Sequence, residues 1–166
     1  MSDPRRTANT LIVGAYDHES EATGALEEVQ QLASAGSAEI HGAVVVSRDS
    51  EGTITIPGMA DTTGRTAGWG TLAGAAVGVL FPPSLIGSAL VGGTVGALTG
   101  RRRSRSMRAI ADAIANTLPP SSSGLIAITD TDRMDDIDRV LRASRRVTKN
   151  EIDDDVVEKL RAAAAD

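Results

Sequence analysis

From Thr66 to Gly100 the chain carries no Asp, Glu, Lys, Arg or His, and the stretch is written almost entirely in Gly, Ala, Thr, Ser, Leu and Val. Gly70, Gly74 and Gly78 fall four apart, Pro82 and Pro83 interrupt the run, and Gly92, Gly96 and Gly100 fall four apart again. A four-residue spacing stacks positions on one helical face, and Gly there lets two backbones touch. The spacing therefore predicts two glycine-striped helices joined by a tight turn, with those six glycines as a self-association surface. Residues 63–100 are read as an inserted apolar helical hairpin.

Composition bounds what the rest can be. The 166 residues suit one domain with an insertion, and the apolar content is enough to bury a core. One Trp, one Tyr and one Phe leave no stacking platform for bases or sugars, and a formal charge of -5 disfavours nucleic acid as a partner. With no Cys there are no disulfides, thiolate nucleophiles or Cys-ligated metals, which fits a cytoplasmic setting. Met1 to Thr10 holds Arg5 and Arg6 but runs straight into a strand-like segment, so it does not read as a secretory signal.

Outside the hairpin, periodicity separates strands from helices. Leu11 to Tyr16 reads as a buried strand. Ala22, Ala25, Leu26, Val29, Leu32 and Ala33 then recur at helical spacing up to a stop at Gly36. Ile40 to Val46 is a second strand, and Thr53 to Ile56 a third, paired with it in a hairpin across Asp49 to Gly52. Met107, Ile110, Ala111, Ile114 and Leu118 mark a helix ending at Pro119-Pro120, and Leu125 to Ile128 another buried strand. Asp132 and Asp135 resemble the cap and first-turn acid of a helix through Leu141. Val147 to Ile152 closes the sheet as an edge strand, and Asp153 opens a last helix. The expected fold class is α+β: a ferredoxin-like antiparallel sheet with helices on one face, split by the hairpin. Residues 1–62 and 101–152 are its two parts, and 153–166 is an acidic, Ala-rich C-terminal helix.

The chain resembles the bacterial family known as domain of unknown function 1269. The residues that carry the likeness are Thr10 to Tyr16, Ala43 to Val46 leading to Arg48-Asp49, and the Gly-rich hairpin. Leu118 to Ser123 and Asp136 to Leu141 extend it across residues 8 to 152. The resemblance implies an uncharacterised, predicted membrane protein and brings no catalytic residues with it. The C-terminal helix and the long Arg cluster depart from the family pattern.

Both arms of the hairpin are short for a membrane span. Trp69 to Phe81 reaches roughly 20 Å and Ser84 to Gly100 roughly 25 Å, against about 30 Å of hydrocarbon. A shallow or re-entrant hairpin and a soluble one packed against copies of itself both fit. A nucleotide loop fits poorly, because no Lys-Ser or Lys-Thr follows Gly68, Gly70 and Gly74. Arg101, Arg102, Arg103, Arg105 and Arg108 cap the hairpin on one side. Such a cluster suits anionic lipid headgroups or an acidic partner, and equally a solvated first helical turn.

Sites of chemistry are sparse. His18 and His41 stand alone in sequence and read as surface or capping residues. Asp130, Asp132, Asp135 and Asp136 fail as a calcium loop, because Met134 and Leu141 sit at ligand positions and Asp135 replaces the required Gly. Helix capping accounts for the same acids. Ser121, Ser122 and Ser123 lie in a Pro-flanked loop with no base nearby in sequence. No catalytic residue, cofactor or metal is expected. The function expected is a non-enzymatic, self-associating protein on the inner face of the cytoplasmic membrane, with a cytoplasmic homo-oligomeric scaffold as the alternative.

Overall fold

Every position of the first strand is buried, which is possible only if the sheet is covered on both sides. In a computed structural model that describes residues 8–57 and 105–165, this strand, β1 (Asn9–Tyr16), is flanked by two others. The remaining strands are β2 (Ile40–Arg48), β3 (Ile54–Thr55), β4 (Ser122–Asp130) and β5 (Arg146–Ile152). They form one sheet in the order β3-β2-β4-β1-β5, and all its pairs are antiparallel. Among the described residues four α-helices accompany them: α1 (Glu19–Ser34), α2 (Arg105–Thr117), α3 (Met134–Val140) and α4 (Asp154–Ala165).

The alternation of side chains along β1, β2 and β4 sends two sets of apolar residues to opposite faces. One set, with Leu11, Val13, Val44, Val46, Ile126 and Ile128, packs with Ile110, Ala113 and Ile114 of α2 and with Val156 and Val157 of α4. The other, with Ile12, Val45, Leu125 and Ala127, packs with Ala22, Leu26 and Val29 of α1 and with Ile137 and Val140 of α3. Helices therefore lie on both faces, and the expectation of helices on one face is corrected. The physical reason is that no strand among β1, β2 and β4 has a polar face to present to water.

Local signals set the element ends. The His18 backbone N–H donates to the Glu21 carboxylate at 3.2 Å at the start of α1. At its end Gly36 takes φ +69°, and the N–H groups of Gly36 and Ser37 return to the carbonyls of Ala33 and Leu32. The third strand is shorter than expected: β3 pairs with β2 only through Ser47↔Thr55 and Arg48↔Ile54. The glycines Gly70, Gly74, Gly78, Gly92, Gly96 and Gly100, and the arginines Arg101, Arg102 and Arg103, lie outside the described residues. Arg105 opens α2, and Arg108 follows one turn later.

Candidate functional site

The register of β2 against β4 slips by one residue between Ile40 and Gly42, so His41 is the extra residue of a β-bulge. A bulge re-aims a side chain, and here the imidazole is turned inward, with only 3% of its side chain exposed. Its Nε2 lies 2.8 Å from Oδ1 of Asp130, the last residue of β4. Its Nδ1 faces Glu39 Oε1 at 3.9 Å, beyond hydrogen-bond reach. That same Glu39 oxygen accepts from the Arg161 guanidinium of α4 at 3.1 Å.

Backbone contacts hold this corner together. The Asp130 N–H donates to the Glu39 carbonyl at 3.3 Å, and the Thr129 hydroxyl donates to the same carbonyl at 2.9 Å. The Thr131 hydroxyl donates to the Ala8 carbonyl. Asn9, paired with Asp130 across the sheet, donates from Nδ2 to the Asp154 carboxylate at 2.8 Å. The corner thus joins β1, β2, β4 and the C-terminal helix. Its chemistry is that of a buried imidazole set between carboxylates, with the neighbouring hydroxyls of Thr129 and Thr131 already committed to carbonyl oxygens.

This arrangement corrects two expectations. His41 is neither at the surface nor a cap. Asp130 precedes a short 3-10 turn, yet its side chain makes no cap bond and is spent on His41. Glu39 carried no signal of its own in the sequence. A His inside an apolar strand was the available clue, because a polar side chain buried there must find a partner.

At the opposite end of the sheet a cleft of about 550 Å³ opens between Asp17, the Pro119 to Ser122 turn, Arg145 and Arg146. Its charges are engaged within the chain. Arg145 pairs with Asp17 at 2.9 Å, and Arg146 donates to the Asn116 carbonyl at 3.1 Å. Ser122 donates to the Pro119 carbonyl, and Ser123 shares a hydrogen bond with Ser47. Of the three serines in the Pro-flanked loop, Ser122 therefore braces the turn between α2 and β4, and Ser123 ties β4 to β2. Beside them the Tyr16 phenol is pushed up to about 12, first by burial and then by the nearby carboxylates of Glu28 and Glu21.

No described helix is long and apolar enough to cross a membrane. No curated protein and no solved structure matches the chain. The family described as "Protein of unknown function (DUF1269)" matches residues 67–165, from the second residue of the uncharged run to the end of α4, so the arginine cluster and the C-terminal helix, expected to depart from the family pattern, lie inside the match. The match takes in β4 and β5 and leaves β1, β2 and β3 outside, although all five strands share one sheet. Covering well over half of the sequence, it shows that this chain belongs to the DUF1269 family.

Proposed function

We propose that this chain is a non-enzymatic, membrane-associated protein. Residues 63–100 dock it on the inner face of the cytoplasmic membrane and hold copies together, and the α+β body is the part it presents to the cytoplasm. The observation that carries this reading is the uncharged run from Thr66 to Gly100 closed on one side by five arginines, Arg101, Arg102, Arg103, Arg105 and Arg108. Basic side chains beside a surface of anionic lipid contribute roughly 1 kcal/mol each. Glycine stripes at Gly70, Gly74 and Gly78 and at Gly92, Gly96 and Gly100 suit close helix contact between copies.

Strand order supports treating the body as a ferredoxin-like unit with an insertion. The four long strands run β2-β4-β1-β5, and β1-α1-β2 and β4-α3-β5 are its two strand-helix-strand halves. Residues 58–104 fall between those halves. The shortness of the two apolar arms favours a second reading, in which the hairpins pack in the core of a cytoplasmic homo-oligomer.

Membranes from cells expressing the chain at native level decide between them. The anchored protein stays with the membrane through an alkaline carbonate wash and is released by detergent. Recovery wholly in the soluble fraction overturns the anchor and leaves the scaffold. Gly92→Leu with Gly96→Leu weakens assembly in cross-linking and sedimentation on either reading. An unchanged oligomer removes the glycine stripes from both.

A further inference from the structure

We infer that Glu39, His41 and Asp130 form a binding site for a divalent transition-metal ion of the zinc class. One donor atom from each residue, an imidazole nitrogen and two carboxylate oxygens, lies within 4.8 Å of the other two. Tetrahedral ligands at about 2.0–2.2 Å from one ion stand about 3.3–3.6 Å apart, so the three donors gather round an ion by small side-chain movements, the His41–Asp130 hydrogen bond opening to admit it. Three protein ligands of this kind leave one tetrahedral position for water.

The donor set selects the ion. A neutral imidazole is a good ligand for zinc and its neighbours in the first transition row, whereas calcium and magnesium prefer all-oxygen shells. Rigidity is supplied by the bulge at His41 and by the Asp130 N–H bond to the Glu39 carbonyl, which bring the tips of β2 and β4 together. Glu39 is the adjustable ligand, with 59% of its side chain exposed.

Charge at the corner points the same way. Two carboxylates flank one buried imidazole, and Asp154 adds a third carboxylate through Asn9. Arg161 is the cation that meets Glu39, and it does so from an exposed position on α4. A dication between Glu39 and Asp130 replaces that arginine and neutralises the pair at closer range. Arg161 therefore competes with the metal for Glu39.

Calorimetric titration of chelator-treated full-length protein with zinc chloride tests the assignment, with cobalt(II) absorbance as a spectroscopic readout of the ligand field. The expected result is one zinc per chain and a raised Tm in the bound form. Glu39→Gln, at an exposed side chain that leaves the fold alone, cuts affinity at least tenfold, and Asp130→Asn does the same. Arg161→Ala, which frees Glu39, tightens binding several-fold. Absence of saturable zinc binding overturns the site. So does wild-type affinity in both Glu39→Gln and Asp130→Asn, or unchanged or weaker binding in Arg161→Ala.

Discussion

The imidazole Nε2 of His41 and the carboxylate Oδ1 of Asp130 stand 2.8 Å apart although the two residues are 89 positions apart in the chain. The pair ties the bulged start of β2 to the end of β4, so it secures the register of the sheet's central strands at one corner.

Breaking that pair leaves a buried polar group without its partner. Asp130→Ala is expected to cost about 1–3 kcal/mol in urea unfolding, while the same change at exposed Asp132 stays within about 0.5 kcal/mol. A double-mutant cycle with His41→Ala checks the attribution, since the two losses must be far from additive. Equal losses at Asp130 and Asp132 would show that the contact contributes nothing.

Gly124 sits in β4 where an added Cβ would meet Leu118 Cδ1 at 2.7 Å and Cδ2 at 2.8 Å. Leu118 is almost wholly buried and has little room to retreat. Gly124→Ala is therefore expected to destabilise by about 1–3 kcal/mol, and Leu118→Ala by about 2–5 kcal/mol through the cavity it leaves. In the double variant the new methyl enters the space that Leu118 vacates. Its loss should fall well short of the sum, as a thermal melt of the four proteins will reveal.

Tyr16 is the sole tyrosine of the chain, so its titration can be read directly from tyrosinate absorbance. The folded phenol ionises near 12, against 10 when exposed. Stability from this group is whole below pH 10 and is lost as pH rises from 10 toward 12, because the unfolded chain ionises first. The loss is about 2–3 kcal/mol by the shift alone. Tyr16→Phe should flatten this alkaline decline. At neutral pH it should be equal to the parent or up to about 1 kcal/mol more stable, because the Tyr16 hydroxyl is buried with no hydrogen-bond partner among the described residues. An alkaline midpoint for Tyr16 near 10 in the folded protein would contradict this account.

Replacing Thr63 to Gly100 with a short Gly-Ser linker should yield a cooperatively melting α+β protein that no longer binds anionic liposomes. Insertions at a loop leave the host core intact when its apolar faces and backbone bonds lie elsewhere. Here the two core clusters each join helices and strands drawn from both sides of the segment. An unfolded product in circular dichroism and proteolysis would make residues 63–100 a part of that core.

Most element boundaries are legible in the sequence, because the signals that set them act over a few residues. The 3.6-residue apolar spacing from Ala22 to Val29 ends where Gly36 supplies a positive φ, and the helix from Arg105 stops ahead of Pro119-Pro120. The uncharged run and its arginine border are likewise plain in the linear chain. Strand order, coverage of both sheet faces and the shortness of β3 are tertiary outcomes. Each depends on which apolar surfaces find one another across the whole molecule, and that free energy is not stored in any window of sequence. The Glu39, His41 and Asp130 corner belongs to the same class. The residue types were visible, but only the bulge in β2 and its pairing with β4 brought donors from distant segments to one point.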